Sequence, residues 1–369
     1  MVRICAAQRC SKTSDFMNGL AHACHSNELA CYTRTMQILI PHLFPDKRLL
    51  EVATQNLCLP ALETLLGRGS LQACPADGTE AALCLALGIA RQQDWPLAPI
   101  TLEADGQEAG DAYWLRADPV HLQVMRDQIV LTDPGTLNLS QLEADELSTS
   151  IAQHFGETLS PIQLHPQRWY LQLSHPPRLT TTPLSVATGR NIDSIQPQGE
   201  AAQQYRTLLN ELQMLLFAHP VNQARELRGA LPINSVWLWG GGVKPETTQA
   251  GLSLYANGPE ACALGKYGGA RIFPVPAKLE RPLIQRENVI QLDALTPAGL
   301  CGDAYAWREA LRSMEQDWFV PLLAALRTVE SKGVHLSDPV NGTSIFLKRT
   351  DTWKIWRRPK TLLSCVNQE

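Results

Sequence analysis

Residues 219–242 read HPVNQARELRGALPINSVWLWGGG and gather side chains suited to gripping a small polar ligand. The guanidinium of Arg225 matches a carboxylate or phosphate by paired hydrogen bonds, and Asn222 adds a neutral amide donor. Asn234 follows in the same stretch, while Arg116, Arg168 and Arg190 bring positive charge from elsewhere in the chain. Three glycines, Gly240, Gly241 and Gly242, follow an apolar run at 233–239 and let the backbone turn sharply or approach a phosphate closely. A packing role also fits each of these residues. Asn222 suits a helix cap, Arg225 a pairing with a surface glutamate, the glycines plain punctuation, and His219 a packing position rather than a general base.

At 369 residues, 44% hydrophobic and 18% charged, the chain can bury one large or two ordinary cores. No apolar stretch approaches the roughly 18 to 20 residues of a membrane helix, and the N-terminus lacks the apolar segment of a signal peptide. A cytoplasmic protein with no membrane partner is therefore expected. The ten cysteines contain no CxxC pair, which predicts free thiols. Cys10, Cys24, His25 and Cys31 are too irregularly spaced for a metal knuckle. Residues 1–35 lack apolar periodicity and are expected to be a non-native or disordered extension, with translation starting at Met36.

Net charge is −4, and residues 345–369 hold six Lys/Arg against two acids, so the body is the acidic part. Such a body repels a polyanion, and nucleic acid is not expected as a partner. The tail FLKRTDTWKIWRRPK interleaves Trp353 and Trp356 with basic residues. Packing of both tryptophans on the body, with the charges solvated, is the expectation; stacking on bases, meeting an anionic surface or engaging a protein partner are the alternatives.

These residues need elements to position them. MQILIPHLF predicts a buried first strand, and LEVATQNLCLPALETLLGRG predicts helix stopped by glycine. In DGTEAALCLALG, Thr79 can cap a short helix; in SQLEADELSTSIAQHFG, Ser140 and Glu143 form a capping box. Segments ITLEA, AYWLRAD, QIVLTD and IQLHPQRWYLQL read as strands, and residues 175–199 as a long loop suited to binding or domain crossing. Residues 201–229 are helical with a break at His219-Pro220, residues 301–330 form a helix pair interrupted near Pro321, and SIFLKRT closes as a strand. The mixture points to an α/β protein.

The order of motifs resembles the archaeal-type cofactor-independent phosphoglycerate mutases of the alkaline phosphatase superfamily. Their HPxN, Arg, Gly, Pro-Ala-Asn and Trp-Leu-Trp-Gly-x-Gly stand here as His219, Pro220, Asn222, Arg225, Gly229, Pro232, Asn234, Trp237, Trp239, Gly240 and Gly242. Fainter collinear matches, LPALETLLGRG, GDAYWLRADPVHL and SPIQLHPQRWYLQL, extend the resemblance over residues 36–270. With DAYAWREAL, EQDWFVPLLAAL and WKIWRRP, the whole chain resembles a bacterial family labelled phosphoglycerate mutase or regulatory protein, Rpf type. The resemblance implies an alkaline-phosphatase-like sheet with flanking helices (36–98 and 262–369) carrying an inserted, smaller α+β substrate-type domain (99–261). It implies substrate contacts from Asn222, Arg225, Asn234, Gly240, Gly242, Arg116 and Arg168.

Phosphoryl transfer in that superfamily uses two divalent metals held by Asp and His, with a Ser or Thr hydroxyl as acceptor. Here Pro41-His42 stands where Pro-Asp is expected, and Asp46 comes four residues late. The nucleophile stretch Pro-Gly-Ser-Asp becomes Asp77-Gly78-Thr79-Glu80, which leaves Thr79 as the candidate catalytic residue. The family's Asp-His-x-Thr-Pro is absent, and HLSDP supplies only His335, expected at the surface, near an aspartate. The leading expectation is a regulatory or sensing protein that binds a small anionic metabolite and has no metal ligands or cofactor. Two alternatives stand beside it. One is an active mutase or phosphatase using Mn or Mg, with Thr79 as nucleophile and Asp46, Asp77, Glu80, His42 and His335 as improvised ligands; the other is a protein-interaction module using the tail.

Overall fold

Four consecutive buried residues, Met36–Leu39, need partners on both faces, the pattern of a strand inside a parallel sheet. The computed structural model describes residues 35–126, 128–284, 287–328 and 333–366 and supplies those partners. Residues 1–34, with their cysteines and the expected extension, lie outside the described residues.

The chain opens with β1 (Met36–Leu39), α1 (Lys47–Ala53), α2 (Pro60–Arg68), β2 (Ser70–Ala73) and α3 (Thr79–Leu87). It leaves the first sheet through α4 (Leu97–Ala104) and β3 (Tyr113–Val120). A small ribbon follows, β4 (Leu122–Val124) with β5 (Ile129–Leu131), and then α5 (Gln141–Phe155) and the hairpin of β6 (Ile162–His165) and β7 (Arg168–Leu173). Helices α6 (Ala202–Phe217) and α7 (Pro220–Leu227) lead to β8 (Ser235–Gly242). The return consists of β9 (Ser253–Tyr255), α8 (Pro259–Tyr267), β10 (Arg271–Phe273), β11 (Asn288–Gln291), α9 (Thr296–Cys301), α10 (Ala304–Met314), α11 (Val320–Thr328), β12 (Val334–Asp338) and β13 (Thr343–Leu347).

The first sheet runs β10-β9-β11-β1-β12-β13-β2, with β1 parallel to both neighbours and an antiparallel edge at β13 and β2. Successive side chains of a strand point to opposite faces. Met36 and Ile38 accordingly join a core with α1, α2, α10 and α11, while Leu39 joins a second core with α3 and α8. The second sheet, β6-β7-β3-β8, is covered by α5, α6 and α7 on one face and α4 on the other. The mixed α/β architecture with flanking helices is as expected. β9 pairs with β11, so residues 253–255, placed in the expected insertion, belong to the first sheet.

Local signals were legible at α5, where Ser140 and Glu143 close the capping box. ITLEA, expected as a strand, lies in helix α4, buried on residues 97–102. Three further expectations need correction. Gly78, not Thr79, is the N-cap of α3, so Thr79 is its first helical residue. Pro321 does not break the helix pair: α10 continues through a π-helical turn, Glu315–Phe319, into α11. A proline cannot donate to the carbonyl four residues back, and Leu279 N donates to that Asp317 carbonyl instead, at 2.9 Å. The same π turn aims the buried Glu315 carboxylate at the uncapped start of α2, accepting from Ala61 N at 2.6 Å and Leu62 N at 3.1 Å.

The glycine junction is the third correction. β8 does not end at Gly240 but continues, buried, to Gly242. Glycine is needed there because the start of α4 crosses closely: a Cβ on Gly242 would lie 2.6 Å from Pro96 Cβ and 3.0 Å from Pro96 Cα. Gly242→Ala should therefore lower the free energy of unfolding by about 1–3 kcal/mol, measured by urea denaturation.

Candidate functional site

In open sheets of parallel strands, ligands bind outside the carboxyl ends of the strands. The ends of β1 and β11 and the start of α3 border a cleft of about 900 Å³, open mouth included, lined by His42, Thr79, Glu80, Glu260, Asp293 and Thr296 among others.

Asp338, the last residue of β12 and fully buried, sets the shape of this region. Its carboxylate accepts hydrogen bonds from His42 N at 3.2 Å and Phe44 N at 2.8 Å, which tie the turn after β1 to β12. It also accepts from Val340 N at 3.1 Å, Asn341 N at 3.2 Å and Asn341 Nδ2 at 3.0 Å. Arg190 braces the same turn by donating to Val340 O at 2.9 Å and Asn341 Oδ1 at 3.2 Å. So held, His42 sits at φ 61°, a conformation that non-glycine residues rarely adopt, and its carbonyl accepts from Trp307 Nε1 at 2.9 Å.

Burial lowers the His42 pKa below its ordinary value, Arg190 acts in the same direction and Asp338 opposes, so the ring is neutral near pH 7. Its Nε2 is buried without a hydrogen-bond partner, as are Gln291 Oε1 and Thr296 Oγ1 of the same cleft. Buried polar atoms are nearly always satisfied. All three belong to residues that line one cleft, and such unpaired groups mark where water or a ligand would bond. Burial pushes the Glu80 carboxyl up to about 7, against the opposing effect of the hydrogen bond that Ser185 Oγ donates to it. With Glu260 and Asp293, the lining is acidic.

None of the expected substrate contacts lines this cleft. Asn222 Nδ2 donates to Leu216 O at 2.8 Å and Ile233 O at 2.7 Å, and its Oδ1 accepts from Ile233 N at 2.8 Å. Arg225 has no exposed surface; it donates to Leu231 O at 2.7 Å, Glu143 at 3.0 Å and Leu137 O. Asn234 bridges both backbone groups of Leu122, at 2.7 and 2.9 Å. Arg168 grips Asp105 at 2.8 and 2.7 Å, beside the Tyr170 hydroxyl on the same carboxylate. Arg116 is 1% exposed, forks onto Asp118 at 2.9 and 2.8 Å, and lies 5.4 and 5.0 Å from the ring centroids of Tyr170 and Trp239. Gly242 packs against α4, and Gly240 borders a second cleft with Asp94 and Thr181. His219 bonds Ser150 Oγ at 2.9 Å, a packing contact. Of the expected catalytic and substrate residues, Thr79 alone borders this cleft, beside His42 and Glu80 of the improvised ligand set. The Pro41-His42 turn after an apolar strand was the available signal for the residue at its centre.

The improvised metal set does not assemble. Asp46 caps α1 through Leu49 N at 3.0 Å, Asp77 pairs with Arg91 at 3.0 Å, and Glu80 is engaged by Ser185. His335 is not at the surface: both faces of its sheet are covered, it is 7% exposed, and burial drives its pKa down to about 4. Among the described residues, no three His, Cys, Asp or Glu side chains are placed to hold one metal ion.

Two measurements check this description. Arg116→Ala strands the buried Asp118 charge and should cost about 3–5 kcal/mol of unfolding free energy. Because the Glu80 pKa is raised in the fold, its contribution to stability is present below its unfolded value near 4.5 and lost as pH rises toward about 7. Relative to Glu80→Gln, the unmodified protein should lose about 2 kcal/mol across that window, measured by urea denaturation at each pH.

No family model matches the chain. It is 30% identical over 153 residues to the "Probable 2,3-bisphosphoglycerate-independent phosphoglycerate mutase" of Geobacter sulfurreducens, covering 40% of this chain and 38% of that protein. Over 76 residues it is 38% identical to the 2,3-bisphosphoglycerate-independent phosphoglycerate mutase of Methanosarcina mazei, covering 21% of this chain and 19% of that one. The matched stretches thus span less than two fifths of these relatives' lengths. Among solved structures, the cofactor-independent phosphoglycerate mutase of Thermoplasma acidophilum aligns over 91% of this chain and 95% of its own, at 17% identity and TM-score 0.43. A Pyrococcus horikoshii protein aligns over 90% and 92%, at 13% identity and TM-score 0.46. The relatives of this chain are cofactor-independent phosphoglycerate mutases, matched in sequence over part of its length.

Proposed function

We propose that this protein binds a small hydroxylated metabolite in the cleft beside His42 and acts as a regulatory, non-catalytic relative of the phosphoglycerate mutases, in keeping with its resemblance to the Rpf-type family. The observation that carries this is the set of three buried, unpartnered polar atoms, His42 Nε2, Gln291 Oε1 and Thr296 Oγ1, lining one cleft. A neutral imidazole, an amide oxygen and a hydroxyl bond well to hydroxyl groups. The expectation of an anion gripped by Asn222 and Arg225 is not carried forward, since both are consumed in packing and the cleft carries carboxylates, which repel anions.

A second reading rests on Thr79. Its place as first residue of α3, on the wall of the same cleft, gives its oxygen the helix end that favours negative charge. In that reading the protein is a metal-dependent mutase or phosphatase with Thr79 as acceptor.

One experiment separates them. Purified protein supplied with 3-phosphoglycerate, with and without Mn²⁺ or Mg²⁺, should give no 2-phosphoglycerate; metal-dependent conversion that Thr79→Ala abolishes would establish the second reading. For binding, glycerol and erythritol serve as probes in thermal unfolding. A ligand at a hundred times its Kd adds about 2.7 kcal/mol, and Thr296→Val should reduce the shift without lowering the ligand-free midpoint. No shift with either probe, or one untouched by Thr296→Val, would contradict the binding proposal.

A further inference from the structure

The tail contradicts its packing expectation. Trp353 is 63% exposed, Ile355 77% and Trp356 74%, three large apolar side chains within four residues. Lys348, Arg349, Arg357 and Arg358 are exposed around them. The one acid in this stretch, Asp351, is 8% exposed and paired with Lys354 at 2.5 Å, so it offsets little of the outward charge.

This segment is not a loose end. Arg68 Nη1 donates to Thr352 O at 2.5 Å, Arg357 Nη1 to Arg68 O at 3.2 Å, and Lys360 N to Glu63 O at 3.0 Å. Gly67 lets it lie against α2, since a Cβ there would stand 2.2 Å from Arg358 O, and Leu362 and Cys365 enter the core of the first sheet beyond it. The strap is pinned to the body on both sides of 353–356 while those residues point outward. Pinning that leaves apolar side chains in water has no benefit to folding.

We propose that residues 348–358 form a peripheral docking surface for an anionic lipid bilayer. Tryptophan is favoured at the headgroup level of a membrane, and clustered lysine and arginine are drawn to anionic lipid. Stacking on nucleic-acid bases would employ Trp353 and Trp356 but leave Ile355, the most exposed of the three and without a ring face, unexplained. Insertion into the interface employs all three. Among the described residues no helix is long and apolar enough to cross a membrane, so the contact is peripheral. The sequence expectation of no membrane partner rested on the lack of a spanning segment and on packing of the tail tryptophans; this surface needs no span, and those tryptophans are exposed. The acidic remainder of the chain orients the molecule, because it is repelled by the surface that attracts the strap.

The test is co-sedimentation of the full chain with vesicles of phosphatidylcholine alone and of phosphatidylcholine mixed with phosphatidylglycerol, at low and high salt. Binding is expected on the mixed vesicles only and to fall with salt, as screening requires. Trp353→Ser combined with Trp356→Ser, and separately Arg349→Glu with Arg358→Glu, should each weaken it by at least about tenfold, with the thermal midpoint unchanged because these side chains are exposed. No binding to anionic vesicles would overturn the proposal, as would binding indifferent to the tryptophan pair. Tryptophan-dependent retention on single-stranded DNA or an acidic protein without vesicle binding would assign the surface to that partner instead.

Discussion

A single buried carboxylate ties together the end of the first sheet that borders the cleft. Asp338 gathers N–H donors from two chain segments almost 300 residues apart, joining the turn after β1 to the turn after β12. Hydrogen bonds to an ionised acceptor are the strong ones, and here they support a histidine in an uncommon backbone conformation. A carboxylate so occupied organises a pocket by its bonds to the chain and has little left for a metal. Among the carboxylates expected as metal ligands, Asp46 faces a backbone amide, Glu80 a serine and Asp77 an arginine.

The same economy governs the arginines. Arg116, Arg168 and Arg225 are each paired with a carboxylate in partly or fully buried settings: within β3, between β7 and the end of α4, and between α7 and α5. Breaking such a pair leaves a charge without water or partner, so these side chains act as structural ties whose removal would be felt by the fold before any ligand. Residue types that suit anion recognition also suit internal bracing. Burial and partner decide between the two.

That distinction explains what could be read from the amino-acid sequence. The buried strand β1 and the Ser140 capping box follow from local pattern and were legible. Continuation of the helix past Pro321 was not, since it depends on Leu279, distant in the chain, occupying the freed carbonyl. The glycines of β8 invited a ligand reading but answer to the approach of α4. His335 looked like a surface residue because nothing local reveals that both faces of β12 are covered. Of the site, Thr79 was found from its motif, while Asp338, Gln291 and Thr296 meet only through the topology of the sheet.

The central claim is that the cleft holds its ligand by hydrogen bonds and does not take a phosphoryl group onto the protein. Intact-mass spectrometry after incubation with 3-phosphoglycerate and Mn²⁺, followed by peptide mapping of residues 75–91, tests it most directly. The account predicts unmodified protein throughout. A phosphoryl adduct on Thr79 that forms only with metal present would contradict it.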